Sequence, residues 1–348
     1  MKHKTYTPIQ IIGTQRSGSN LLRLMLNELP EVVAPHPPHI LKTFMPLISK
    51  YPNLAIDDNF RQLIEDVCRL IETNPVVWDH VVFDRNRVFS LCEKRTLVEV
   101  FKVVYELMAE ANGASYWCCK SMANVNFAEQ IEEGNLRPYY IHLVRDGRDV
   151  ATSFKKVAVG DKHIYSLSTN WNKQQKKSEA CKQKVRAERA ITVRYEDLIH
   201  SPEETMKRVC EFLGVTFTSQ IFDYYNSEES KHTAASGFMW SNVTSPIIKN
   251  NTQKYKKALT AKEIQLFDFV AGESLLRYGY EVDERPTIIE LDQSTINEFE
   301  LENDRLIKQI KSEVYLKVDI SKRKEQEIFI ESVKSRLSHQ NALEANVL

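Results

Sequence analysis

The sequence predicts an α/β fold: a central parallel sheet with helices covering both faces. Three observations predict it. Short apolar runs of strand length alternate with longer stretches of helical periodicity, the order that βαβ units produce. The first of these units passes through a tight loop of small residues directly into an amphipathic helix. The chain, 348 residues long, can bury a sizeable core in one large domain or two modest ones.

The first unit is a strand over 9–13, a loop, and a helix over about 19–29 in which Leu21, Leu22, Met25, Leu26 and Leu29 recur at helical spacing. Pro30 ends that helix, and residues 34–39, Ala-Pro-His-Pro-Pro-His, form a stiff extended loop. Residues 40–110 read as helices, with apolar faces centred on Phe60 to Ile71 and on Leu97 to Met108. A buried strand over 115–119 ends in Lys120-Ser121, and a helix follows over about 125–132. The apolar run 139–144 stops at Arg145-Asp146-Gly147-Arg148-Asp149, where another helix starts, and 191–195 is one more short strand. Pro202 opens a helix that reaches Phe212. Ligands of such sheets bind outside the carboxyl ends of the strands, so one site there could collect the loop 14–20, Lys120 and 145–153.

Beyond about residue 285 the character changes. Acidic and basic residues alternate over 296–337, with Phe299, Leu306, Ile310, Val314, Ile328, Val333 and Leu337 at roughly helical intervals. A domain over 1–285 with a charged helical extension over 286–348 is therefore expected. The extension is either docked on the domain or on a second copy, giving a homo-oligomer, or a solvated helical tail.

Composition excludes several classes. Forty-seven Lys and Arg balance forty-seven Asp and Glu, which argues against a general nucleic-acid-binding surface. Residues 1–8 carry charges and no apolar core, so no signal peptide is expected, and no run approaches the roughly 18 apolar residues of a membrane span. Six scattered cysteines give neither a disulfide framework nor zinc spacing, so free thiols and a cytoplasmic location are expected.

The loop Gly13-Thr14-Gln15-Arg16-Ser17-Gly18-Ser19-Asn20 carries the chemistry. Strand, tight loop and helix N-terminus aim backbone N–H groups at one point, a ready anion site. Gly13 and Gly18 match the first part of a G-x-x-x-x-G-K-[ST] phosphate loop, but Ser-Asn follows where Lys and Ser/Thr belong. The loop thus suits a phosphate-like anion, with Arg16 as its cation, and suits magnesium–ATP poorly.

With this loop, Val144-Arg145-Asp146-Gly147-Arg148-Asp149-Val150-Ala151-Thr152-Ser153 makes a pair of motifs. The pair resembles the 5′-phosphosulfate loop and the 3′-phosphate motif of sulfotransferases that use 3′-phosphoadenosine 5′-phosphosulfate (PAPS). Similar family elements follow at 193–198, at Lys254-Tyr255 and at Gly279-Tyr280, so the resemblance covers about 9–282. The nearest pattern is the tyrosylprotein-type and bacterial branch. The resemblance implies a P-loop-like sulfotransferase fold and transfer of a sulfuryl group from PAPS to an acceptor hydroxyl, with no metal. Gln15, Arg16, Ser17, Gly18, Ser19 and Asn20 would hold the 5′ end, with Arg16 and Lys120 also stabilising the moving group. Arg145 and Ser153, a guanidinium fork and a hydroxyl, suit the 3′-phosphate. Tyr195 would lie near the adenine, or else be a packed strand tyrosine. Lys254 would reach the 3′-phosphate, or belong to a solvated cluster with Lys256 and Lys257.

The acceptor hydroxyl needs a base, and the family's glutamate in the loop after the first helix falls here on about Pro37. His36 and His39 flank that position, and a histidine of near-neutral pKa suits the task, with His36 slightly favoured. The acceptor's class is unspecified; Trp78, Phe83, Phe89, Trp171 and Trp240 are aromatic candidates for its pocket. Asp146, Arg148 and Asp149 read as helix-capping and paired residues, and His142 as a core histidine. The alternatives are a small-molecule kinase on the same loop architecture and a nonenzymatic nucleotide-binding scaffold.

Overall fold

The computed structural model describes residues 5–282, 291–312 and 314–345. The boundary expected at 285/286 lies outside them. The first half of the domain runs β1 (Thr7–Gly13), α1 (Ser19–Asn27), β2 (Val32–Val33), α2 (Ile40–Phe44), α3 (Asp57–Glu72), α4 (Arg85–Leu91), α5 (Leu97–Ala111) and β3 (Tyr116–Cys119). The second half runs α6 (Ala128–Glu133), β4 (Tyr139–Val144), α7 (Gly147–Phe154), α8 (Ile164–Lys184), β5 (Ala190–Arg194), α9 (Tyr195–His200) and α10 (Pro202–Leu213). It is completed by α11 (Glu228–Ala235), α12 (Tyr255–Ala258) and α13 (Ala261–Arg277). Two helices close the chain, α14 (Gln293–Lys311) and α15 (Val314–Ala345).

Five strands pair in parallel in the order β2-β3-β1-β4-β5. β1 is central, and its residues from Pro8 to Gly13 are all buried, as a strand covered on both faces must be. Ile9 and Ile11 pack under α1 and α10, while Ile12 faces Tyr140 and Cys181 on the other side. Connections leave β1 toward one edge and β3 toward the other. A crevice therefore opens at the carboxyl end of β1.

Local chemistry sets the helix ends. Pro202 opens α10 and Gly214, at φ 72°, ends it. Thr260 and Glu263 form a reciprocal capping box at the start of α13. The helix expected over 125–132 starts only at Ala128, after a 3-10 stretch, Met122–Phe127. Asn124 explains the tighter turn: its N–H bonds to the Ser121 carbonyl at 2.8 Å and its buried amide donates to Gln10 Oε1 at 2.9 Å. β2 lies between Pro30 and the loop 34–39, where no strand was expected; two β-branched valines there pair with Tyr116 and Trp117.

The charged extension is docked on this domain and is not a solvated tail. Val333 and Leu337 are buried in the core formed with α3 and α5. Gln326 donates to the Leu70 carbonyl at 3.0 Å, and Arg336 pairs with Asp66. In α14, Asn303 Oδ1 accepts from the backbone N–H groups of Lys162 and His163 at 2.7 and 3.0 Å, and Phe299 stacks on His163. No helix among the described residues is long and apolar enough to cross a membrane.

Candidate active site

The loop after β1 is shaped by two glycines in left-handed or otherwise positive-φ backbone. Gly13 has φ 123°, and a Cβ there would lie 2.4 Å from the Leu143 carbonyl oxygen, so β1 and β4 could not approach. Gly18, at φ 85°, would drive a Cβ to 2.3 Å from the Tyr195 ring. Between them, Thr14 and Ser17 share a hydroxyl–hydroxyl bond of 3.0 Å, and Arg16 itself is left-handed at φ 67°. Ser19 begins α1, whose N-terminus has no side-chain cap and no acidic residue in its first turn. Its leading amides and the positive end of its dipole face the loop. Gln15 and Asn20 are half-buried along it, Asn20 accepting weakly from Arg23 Nε at 3.4 Å.

Two guanidiniums converge on this loop. Arg145, at the end of β4, donates to the Arg16 carbonyl at 3.0 Å and to the Asn251 carbonyl at 2.8 Å. Its Cζ sits 4.4 Å from the centre of the Tyr195 ring, and its buried Nε has no partner. Arg16 Nε donates to Ser153 Oγ at 2.9 Å, and its Nη1 to the Met239 carbonyl at 3.3 Å. Burial, and then the charge of Arg145, lower the Arg16 pKa to about 10. The nearest carboxylate to Arg145 is Asp149, at 3.7 Å. Two adjacent cations whose hydrogen bonds go to carbonyls and a hydroxyl keep their charge for an anion that approaches them.

The structure thus joins Arg16, Arg145, Ser153 and Tyr195. Tyr195 is the first residue of α9 and not part of a strand; its ring bridges Gly18 and Arg145, and its hydroxyl accepts from Asn251 Nδ2 at 2.7 Å. Lys254 is not brought in: it is exposed beside Lys256 and Lys257, and the 251–255 segment is tied to the site through Asn251 and through the Tyr255 N–H, which donates to Asp149 at 2.9 Å. Asp146 caps α7 and pairs with Arg148, which also reaches Asp268 at 3.2 Å. His142 is fully buried and bonded to Gln175 at 2.8 Å; Gln175 donates on to Thr14 Oγ1 at 3.5 Å, linking the core to the loop.

The acceptor-side candidates form a second cluster. His36 is 4% exposed, and neither ring nitrogen has a hydrogen-bond partner. Its ring meets the Trp240 ring edge-on at 4.7 Å, and its carbonyl accepts from Trp78 Nε1 at 2.7 Å. His39 shares a 2.8 Å hydrogen bond between Nδ1 and Ser121 Oγ. Lys120, also buried, has no hydrogen bond or ion pair to its ammonium among the described residues. Neither histidine keeps the near-neutral pKa expected of it. Burial and the neighbouring Lys120 hold His36 well below the usual range and His39 at about 3. Burial, and then Arg23, bring Lys120 down to about 7, so the lysine is the group that titrates near neutrality.

Several contributors carry no local motif. Arg23, fully buried, spans from α1 to the Ala34 carbonyl at 2.7 Å, Glu229 at 2.5 Å and Thr233 Oγ1 at 2.8 Å, so α11 fixes the histidine loop. Asn251, Glu229 and Gln175 come from distant segments, and only their contacts reveal them. Of the aromatic candidates, Trp78, Phe83 and Trp171 are core residues, Trp171 donating to the Arg145 carbonyl at 3.2 Å. Phe89 packs with Phe60, Arg61 and Arg95. Trp78 bonds the His36 backbone, and Trp240 meets the His36 ring.

Comparison with known proteins identifies the family and the fold. A model of the sulfotransferase family matches residues 8–219. The chain is similar in fold to the sulfotransferase domain of the Synechococcus PCC 7002 olefin synthase, with 20% identity and a TM-score of 0.55 over 81% of this chain and 98% of that one. It is also similar to the sulfotransferase domain of the curacin biosynthetic pathway, with 18% identity and a TM-score of 0.52 over 80% of this chain and all of that one.

Proposed function

This chain belongs to the sulfotransferase family, and from that premise we propose that it moves a sulfuryl group from PAPS to an acceptor hydroxyl by in-line transfer. The observation that carries the reading is the convergence of Arg16, Arg145 and Ser153 on an uncapped helix N-terminus that lacks the lysine and magnesium-holding hydroxyl of an ATP loop. The loop amides with Arg16 and Lys120 would take the 5′-phosphosulfate. Arg145, with an unused buried N–H, and Ser153 would take the 3′-phosphate, and the Tyr195 ring would offer a face to the adenine. In the transfer, the acceptor oxygen forms a bond to sulfur as the bond from sulfur to the phosphate oxygen breaks. The hydroxyl proton passes to His36 or His39, both unprotonated at pH 7, with burial and the Lys120 charge making each a weaker base than an ordinary histidine.

Competition between adenosine 3′,5′-bisphosphate and ATP on the purified protein tests the reading. The bisphosphate is expected to bind more tightly, and transfer from labelled PAPS to an acceptor in a cell extract is expected to survive EDTA. Preference for ATP together with strict magnesium dependence overturns it in favour of a kinase. The absence of nucleic-acid binding, a cytoplasmic location and pairing of two copies through the C-terminal helices α14 and α15 belong to the same proposal. Six cysteines, all free, support a reducing compartment. Exposed Leu301 and Ile328 support the pairing, which sedimentation would check.

A further inference from the structure

The charged C-terminal helix reaches the candidate site, although it lies outside the residues matched to the family. Its contact is with a 3-10 segment, Phe238–Thr244, that touches both halves of the site. The Met239 carbonyl accepts from Arg16, and the Trp240 ring packs on His36. These same two residues also meet α15: Arg323 Nη2 lies 3.8 Å from Met239 Sδ, and its Cζ lies 5.1 Å from the centre of the Trp240 ring. Lys322, one residue earlier, donates to the Ala235 carbonyl just before the segment.

The segment needs such support. None of its residues is fully buried, Phe238 is 59% exposed, and a short 3-10 turn has poor hydrogen-bond geometry of its own. The helix is well placed to give it. Arg323, Gln326, Ile330, Val333 and Leu337 follow one another at steps of three and four residues, so they form one stripe that faces the domain. The far end of the stripe is anchored by buried Val333 and Leu337, and Gln326 is bonded to Leu70. Arg323 is the end of a fixed strut.

We propose that Arg323 is a positioning residue of the transfer site, holding Met239 and Trp240 so that Arg16 and His36 keep their places. α15 is on this account a working part of the site. The inference rests on the functional reading above and extends it to a helix outside the matched residues. A cation over the Trp240 face and against the Met239 sulfur fixes both residues, which keep their contacts to Arg16 and His36. The charge of Arg323 also falls, with that of Lys120, on His36 and His39, in keeping with its nearness to both.

The test measures adenosine 3′,5′-bisphosphate affinity by calorimetry, and melting temperature, for the full chain. Arg323→Ala is expected to loosen the nucleotide about five- to tenfold, the size of coupling between contacting residues, with little change in melting temperature. Arg323→Lys, which keeps a cation over the ring, is expected to restore most of the affinity. Val88→Ala, in the core at α4 and off the strut, should lower the melting temperature and leave affinity near that of the wild type. Wild-type affinity in Arg323→Ala, or equal loosening by Val88→Ala, overturns the inference. A wild-type protein that binds no bisphosphate overturns the functional reading itself, a distinct result.

Discussion

The two halves of the candidate site are built on opposite principles. On the side proposed for the nucleotide, the cations are tied down, Arg145 to two carbonyls and a tyrosine face and Arg16 to Ser153 and the Met239 carbonyl, with only the buried Nε of Arg145 left unpaired. On the side proposed for the acceptor, both ring nitrogens of His36 are buried without a hydrogen-bond partner among the described residues. Leaving a buried polar group unpaired costs about 1–3 kcal/mol, which a hydrogen-bonding group brought against His36 would relieve. The difference teaches that one side is arranged before its ligand arrives and the other is completed by it.

The largest test strikes the acceptor side. Replacing the histidine that takes the acceptor proton with alanine should lower transfer from labelled PAPS roughly 10²–10⁴-fold while bisphosphate affinity hardly moves. If His36→Ala and His39→Ala both keep near-normal rates, the base lies elsewhere, and Glu229, beside Arg23, is the carboxylate to try next. Arg145→Ala addresses the opposite half. It should weaken adenosine 3′,5′-bisphosphate roughly ten- to a hundredfold, about 1.5–3 kcal/mol, and adenosine 5′-phosphate far less. Equal losses for both nucleotides would show that Arg145 does not read the 3′ group.

A smaller effect is expected at Gly18. Alanine there meets the Tyr195 ring and a positive φ together, a strain of roughly 1–2 kcal/mol, so both nucleotides should loosen about tenfold. Measured against Tyr195→Ala alone, where the collision is gone but the backbone strain remains, Gly18→Ala should cost less, and an undiminished loss would sink the steric account. The smallest effect is a pH slope. Lys120 is charged below its pKa of about 7 and neutral above it, so bisphosphate affinity should fall a few-fold from pH 6 to pH 8. Lys120→Arg, which stays charged, should flatten the slope. The histidines contribute nothing in this window: with His39 at about 3 and His36 well below its usual range, both are already neutral at pH 6.

The loop side of the candidate site was legible because its sequence signals are local. Gly13 to Asn20 and Arg145 to Ser153 each lie within ten residues, and the loop geometry follows from where glycines permit positive φ. The alternation of apolar runs likewise located β1, β3, β4 and β5 to within a residue or two. Tyr195 was placed at the site but on the wrong element, because an apolar run does not show where a strand gives way to a helix. Of the two readings of Lys254, its exposure beside Lys256 and Lys257 matches the solvated cluster, and sequence proximity to Asn251 and Tyr255 does not tell which member of a segment turns inward. The acceptor side was half legible. A proline-stiffened loop drew attention to His36 and His39, but their burial under Trp240 and beside Lys120 depends on segments some 80 to 290 residues away. Burial is what moved their pKa values, and no spacing in the chain records it.

The central position of β1 also governs how the protein is made. Thr7 pairs with Tyr116 and Ile9 with Tyr139, so β1 finds one sheet neighbour only after roughly 110 further residues have been made and the other after roughly 130. At about 5–20 residues per second, that is a wait on the order of 5–20 seconds, during which Ile9, Ile11 and Ile12 have no sheet to join. Pairings this distant in sequence also slow folding in general, because a long loop must close before any contact rewards it. The strand that delivers the anion loop is therefore the one most exposed to chaperones and to aggregation during synthesis.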